Sequence, residues 1–414
     1  MAIFRPFQAV RPLPAFAARV AELPYDVMNT QEARAIAAGN PYSFLHIDKA
    51  EIDLPEGTDL YDDAVYETAA ANLRRLESQG VCRQDQTPGI YIYRQTMNGR
   101  SQTGLVGCVS IDDYLNNVIK KHEFTRADKE ADRIRHVDRC DANTGPIFLT
   151  YRPDAVLKKA LADFISGNEP VYDFTHRDGV RHTVWVVGKD SLGRTAAERL
   201  AGKELYIADG HHRAASAVKV GLMRREQNPG YSGLEEFNFF LAVVFSSDEL
   251  EIMDYNRLIA DLNGLNADDF LRRVSENFDI TPVPAGEPFR PQARHTFGMF
   301  FQGGWKKLTV KEGTFDALDP VGSLDVTILQ NNLIEPVLGI SDPRTDHRID
   351  FVGGIRGIGE LERRVGQGMA LAFSMFPPSL DELMAIADAG KVMPPKSTWF
   401  EPKLLSGLFV HRLA

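Results

Sequence analysis

The stretch FNFFLAVVF (237–245) is apolar at every position except Asn238. A run that short, rich in β-branched and aromatic residues, predicts a strand buried on both faces. HTVWVV (182–187) and ELYIAD (204–209) predict two more strands. GIYIYRQTMNGRSQTGLVGCVSI (89–111) places two β-rich runs around Asn98-Gly99, a strong hairpin signal. HTFGMFFQGGWKKLTV (295–310) predicts a second hairpin turning at Gly303-Gly304. Helical spacing marks 31–39, 60–80, the second half of 118–140, 211–225 and 264–277. SLDELMAIADAG (379–390) adds a capping box, Ser379 with Glu382, and a closing Gly390. The proline-rich VPAGEPFRPQ (283–292) reads as a linker.

Hairpins and βα units in one chain imply an α/β fold with mixed sheets, α+β in character. At 414 residues the chain exceeds one ordinary core. We expect an N-terminal α/β domain at about 1–105, a central core at about 106–255 and a C-terminal α/β domain over 256–414.

Apolar content of 43% and charged content of 25% are those of a soluble globular protein. The net charge of −10 argues against a duplex-DNA binder held by phosphate neutralisation, though it leaves room for a local anion pocket. Cys82, Cys108 and Cys140 form no CxxC pair and read as reduced thiols. The N-terminus lacks the apolar core of a secretory signal, and no run reaches the length of a membrane span. The expectation is a cytoplasmic protein with no membrane and no nucleic-acid partner.

Against this acidic background, IADGHHRAAS (207–216) stands out. A strand ends in Asp209-Gly210, and His211, His212 and Arg213 open a helix. The first amides of a helix lack intrahelical partners and carry partial positive charge. A preceding glycine admits close approach, so the junction suits a phosphate. A capped helix with surface histidines fits the same letters. Asp209 stands where a metal-bridging or proton-handling carboxylate would be useful. No G-x-x-x-x-G-K-[ST] occurs, and GGIRGIG (353–359) reads as a tight βα turn. His122-Glu123 begins an H-E-x-x-H pattern, but Arg126 breaks it.

In KKHEFT (120–125), Glu123 lies among Lys120, Lys121, His122 and Arg126. A carboxylate among cations can orient a hydroxyl and take its proton. A solvated, salt-bridged helix face is the commoner fate of such a run and, on sequence chemistry alone, the leading reading. Asp26 in LPYDVMN reads as a turn residue with a weaker claim on a cleft. Arg257 can reach a carboxylate ligand or a structural partner. Arg344, Asp346 and His347 decorate a loop, and His136 is expected on a solvated helix face.

YIADGHHRAASA (206–217) resembles the nucleotide-binding motif of the ParB/sulfiredoxin-like superfamily. Sulfiredoxins carry a cysteine where this chain has His211, and ParB clamps carry a DNA-binding helical domain with no counterpart here. The free L-serine kinases of that superfamily carry D-G-H-H-R itself. Two further segments match them in the same order: K-x-H-E at Lys120–Glu123, and a helix followed by P-K-[ST]-T at Pro395–Thr398. The whole chain also resembles a long bacterial family of unknown function. Its recurring segments are P-Y-D-V (24–27), I-K-K-H-E-x-T (119–125), A-D-G-H-H-R (208–213), Y-N-R (255–257) and M-P-P-K-S-T-W-F-x-P-K (393–403).

The resemblance implies a ParB/sulfiredoxin-like nucleotide-binding core with additional N- and C-terminal regions. It implies a kinase passing phosphate from ATP or ADP, with Mg²⁺, to free L-serine or a similar small hydroxy acid or amino acid. Glu123 becomes the base, with His122 beside it, and Asp209 faces the transferring phosphoryl group; the metal ligands are not legible in the sequence, Asp209 being the candidate contact for Mg²⁺. Gly210, His211, His212 and Arg213 hold nucleotide phosphates; Lys396, Ser397 and Thr398 hold substrate or product phosphate. Lys120, Arg126, Arg257 and Asp26 are weaker substrate candidates. Lys396 implies a cleft between core and C-terminal domain. Two alternatives use the same pocket: a non-catalytic nucleotide sensor, and a hydrolase acting on O-phosphoserine.

Overall fold

In the computed structural model, which describes residues 2–188 and 191–414, the chain forms two compact units. The first comprises Met1–Leu250 with Pro402–Ala414, and the second Glu251–Glu401.

A nine-stranded mixed sheet carries the first unit. Its strands are β1 (Phe4–Arg5), β2 (Ile90–Met97), β3 (Arg100–Ser110), β4 (Ile119–Lys120), β5 (Ile147–Tyr151), β6 (Tyr172–Thr175), β7 (Arg181–Val187), β8 (Leu205–Asp209) and β9 (Phe239–Ser246). The order is β4-β8-β5-β9-β3-β2-β7-β6, with β1 paired to β3. The Asn98-Gly99 hairpin joins β2 to β3, and both turn residues take the positive φ that a tight primed turn needs. β9 is buried at every position, as its unbroken apolar run requires. Ile92, Leu105, Val109, Leu149, Ile207, Phe240 and Val244 meet in the main core.

Helices α1 (Thr30–Ala37), α2 (Asp63–Ser78), α3 (Ala127–Cys140), α4 (Ala155–Gly167), α5 (Ser191–Ala201) and α6 (His211–Gln227) complete this unit. Ala214, Ala217 and Val218 seat α6 on the main core. The division expected near 105 falls inside β3, because hairpin pairing draws both sides of that position into one sheet. The last residues return to this unit: Val10 pairs with Val410, and Glu22 with Ser406.

The second unit is built on an antiparallel six-stranded sheet. Its strands are β10 (Tyr255–Ile259), β11 (Phe278–Pro282), β12 (Thr296–Phe301), β13 (Gly304–Val310), β14 (Ile349–Gly353) and β15 (Leu371–Ser374). Helices α7 (Ala267–Asn277), α8 (Gly359–Gly366) and α9 (Leu380–Asp388) accompany it. The capping box of Ser379 and Glu382 opens α9 as its sequence requires. The β12–β13 turn falls at Gln302-Gly303, one residue earlier than expected, with both residues at positive φ. Residues 283–292 are not a linker between units. They connect β11 to β12 inside this one, where Val283 donates its N–H to Trp305 and Phe289 packs on the core.

Candidate functional site

Asp209 ends β8, and Gly210 turns the chain into α6 with φ +92° and ψ 32°. A Cβ at Gly210 would stand 3.1 Å from both Nε and Nη2 of Arg213, so the left-handed turn favours glycine and a side chain there would crowd the guanidinium. The Gly210 amide donates to Asp209 Oδ1 at 2.9 Å. Asp209 Oδ2 lies 3.4 Å from Lys403 Nζ and 3.7 Å from Arg213 Nη2. Burial alone would raise the Asp209 pKa; the Lys403 and Arg213 charges overcome it and hold the carboxyl at about 2. The group is therefore ionised at every physiological pH.

Arg213 is largely internal. Its Nη1 donates to the Pro146 carbonyl at 2.6 Å, while buried Nε has no hydrogen-bond partner. His211 and His122 are buried as well, their rings edge to face with centroids 4.5 Å apart. Desolvation drives the His122 pKa down to about 4 and that of His211 well below its usual value. The junction thus presents neutral imidazoles rather than the cationic histidines its sequence suggests. Neither His122 nitrogen has a partner of hydrogen-bonding geometry. His212 is half-buried, and its Nε2 accepts the Arg126 N–H at 3.0 Å, which leaves the ring's proton on Nδ1.

The KKHE segment meets this junction. Glu123 Oε2 lies 3.8 Å from His211 Nδ1, and the Glu123 side chain is 42% exposed. β4 runs parallel to β8, pairing Ile119 with Leu205 and Lys120 with Tyr206, and so delivers His122 and Glu123 to the mouth of α6. The segment is no solvated helix face, since Lys120 lies in the strand and His122 is buried. Lys120 pairs with Glu204 at 2.7 Å. The Arg126 guanidinium pairs with Asp128 on the surface, and the Arg126 backbone N–H donates to His212 of α6. Asp26 is exposed, and its charge acts on both His212 and Arg213.

Lys396, Ser397, Thr398 and Arg257 belong to the second unit. Lys396 takes a left-handed backbone (φ +58°), and Ser397 Oγ donates to the Pro394 carbonyl. Arg257 is buried, and its guanidinium donates to the carbonyls of Tyr255 and Lys396. Burial lowers its pKa to about 10. His136 departs from expectation: it is buried on α3, and its Nε2 lies 3.0 Å from the Ile47 carbonyl oxygen. Lys403 went unassigned in the sequence, although it closes the M-P-P-K-S-T-W-F-x-P-K segment. The three cysteines are free and buried. Among the described residues no helix is long and apolar enough to cross a membrane.

A family model described as "Protein of unknown function (DUF1015)" matches residues 4–327. The chain belongs to that family. Curated proteins give no match to this DUF1015 member. Among solved structures, the chain matches a free serine kinase mutant in complex with ADP at 14% identity and TM-score 0.36, covering 71% of this chain and 86% of the other. A free serine kinase in complex with AMP matches at 14% identity and TM-score 0.35, again over 71% and 86%. A conserved hypothetical protein from Pyrococcus furiosus matches at 13% identity and TM-score 0.35, over 73% and 93%. Likeness at this level leaves the chemistry of the DUF1015 site to its own geometry.

Proposed function

We propose that the first unit is a small-molecule kinase that transfers a phosphoryl group from ATP or ADP to the hydroxyl of free L-serine or a similar small hydroxy acid or amino acid. The observation that carries this reading is the 3.8 Å approach of Glu123 to His211, which brings a half-exposed carboxylate to the amide-rich start of α6. One small ligand spans both. The amides of His211, His212 and Arg213 have no intrahelical acceptor and receive the phosphate oxygens. Arg213 acts from beneath as a fixed positive charge, anchored to Pro146. Lys403 joins it on the Asp209 side.

Phosphoryl transfer asks for positioning and charge neutralisation more than covalent help. The acceptor oxygen attacks the terminal phosphorus, the bond to the bridging oxygen breaks, and the shortened nucleotide leaves. The hydroxyl proton passes to Glu123. A neutral His211 serves this step, because a cationic neighbour would lower the proton affinity of the carboxylate. Asp209, ionised beside the helix start, fits Mg²⁺, which takes one or two carboxylates together with ligand phosphates. The ion would supply charge neutralisation there.

Purified protein incubated with L-serine, Mg²⁺ and either nucleotide tests the proposal. The expected product is O-phosphoserine, formed only when acceptor and nucleotide are both present. Nucleotide bound but never consumed would support the sensor instead. Phosphate released from O-phosphoserine without nucleotide would support the hydrolase.

A further inference from the structure

The loop between β6 and β7 carries a second constellation, absent from the chemistry above. In T-H-R-D-G-V-R-H (175–182), Gly179 takes φ +83° and closes a tight turn. His176 donates its N–H to the Val180 carbonyl at 2.8 Å, and the Val180 amide donates to Asp178 Oδ1 at 3.0 Å. The turn thereby folds His176 and Asp178 back toward His182 on β7. One ligand atom from each of the three lies within 4.8 Å of the others.

Two features distinguish this cluster from an ordinary ion pair. His176 is 6% exposed and His182 fully buried, yet His176 Nδ1, His176 Nε2 and His182 Nε2 lack hydrogen-bond partners. Buried polar atoms are ordinarily paired, so the unpartnered His182 Nε2, beside a His176 ring held only at ion-pair distance from Asp178 and Glu22, calls for a partner. His176 Nδ1 also lies 3.1 Å from Asp178 Oδ1 without hydrogen-bond geometry. Two ligands on one zinc, each about 2.0–2.1 Å from it, stand roughly 3.3 Å apart.

The surroundings complete the pattern of a metal site. A ligating histidine ordinarily gives its other N–H to an oxygen, which fixes tautomer and ring orientation. His182 Nδ1 lies 2.7 Å from the Tyr93 hydroxyl, and its ring is stacked with those of Phe174 and Tyr93. His176 Nε2 faces Glu22 Oε2 at 3.9 Å. Glu22 is itself buried, held by the Ser43 hydroxyl at 2.6 Å and paired with Arg177.

We propose that His176, Asp178 and His182 bind a divalent cation of the zinc class, with His176 Nδ1, an Asp178 carboxylate oxygen and His182 Nε2 as ligands. Two imidazoles and one carboxylate suit Zn²⁺ and its first-row neighbours better than Mg²⁺ or Ca²⁺, which prefer all-oxygen sites. Asp178 is 29% exposed on its side chain, so the cation enters from that side. The site is independent of the phosphate-binding junction in its residues and in its test.

The full chain, stripped with chelator, is titrated with Zn²⁺ alone in competition with a chromophoric chelator. One equivalent should bind, with affinity reduced at least 100-fold in His182→Gln and 10- to 100-fold in Tyr93→Phe. Failure of the wild-type protein to bind an equivalent would overturn the site, as would wild-type affinity in folded His182→Gln. Because His182 is buried and its variant risks misfolding, wild-type protein loaded with Co²⁺ gives an independent reading. Paramagnetic shifts of the His176 and His182 ring protons support the ligand set; unshifted rings in a Co²⁺-loaded protein overturn it.

Discussion

Lys403 Nζ stands 3.4 Å from Asp209 Oδ2, so the segment Pro402–Ala414 returns a cation to the carboxylate that ends β8. The Gln95 side chain fixes that return by donating to the Lys403 carbonyl at 2.8 Å. The pairing has a consequence for acid stability. Asp209 carries a depressed pKa in the folded state, so its stabilisation is present above the usual carboxylate range and is lost as pH falls toward about 2. Replacing Lys403 by Met removes the larger of the two attractions. The expected outcome is an acid-unfolding limb displaced to higher pH and weaker nucleotide binding. Urea unfolding of both proteins between pH 2 and pH 5 checks the first; an unchanged limb would remove Lys403 from the account.

Gly210 is held at φ +92° with Arg213 against its missing side chain. Gly210→Ala should cost about 1–2 kcal/mol in strain and push the Arg213 guanidinium off its seat. Denaturant unfolding measures the first effect, and calorimetric titration with nucleotide the second. Wild-type values in both would show that the turn tolerates a Cβ.

His122 is buried neutral, with its pKa lowered to about 4. The unfolded chain takes up its proton near pH 6.5, and the folded one only near pH 4. Stability from this group is therefore complete above pH 6.5 and is lost progressively as pH falls toward 4. Between pH 6.5 and pH 5 the loss is on the order of 2 kcal/mol. His122→Gln should flatten that part of the stability profile, measured by urea unfolding at the two pH values. An equally steep profile in the variant would assign the slope to other groups.

Much of the fold was legible because its signals are local. Asn98-Gly99 can form one kind of turn well, and the apolar run through β9 suits a doubly covered strand. The D-G-H-H-R junction was legible too, since a strand, a glycine and a helix start fix their own geometry. What was hidden depends on tertiary neighbours. His136 reads as polar helix surface until α3 packs beside Ile47. His211 reads as a cation until burial beside His122 makes charge costly. Lys403 lies 194 positions from Asp209, and no spacing rule joins them. His176, Asp178 and His182 are close in sequence, but only the Gly179 turn makes them converge.

The central claim joins Glu123 to a phosphate held at the mouth of α6, and Glu123→Gln tests it most directly. The variant keeps the shape and removes the proton acceptor, so binding and turnover should separate. Rates of O-phosphoserine formation and nucleotide affinity, measured on the same preparations, should show turnover reduced about 10²- to 10⁴-fold. Nucleotide affinity should stay within about threefold of the wild-type value. Wild-type turnover in Glu123→Gln would contradict the assignment of the base.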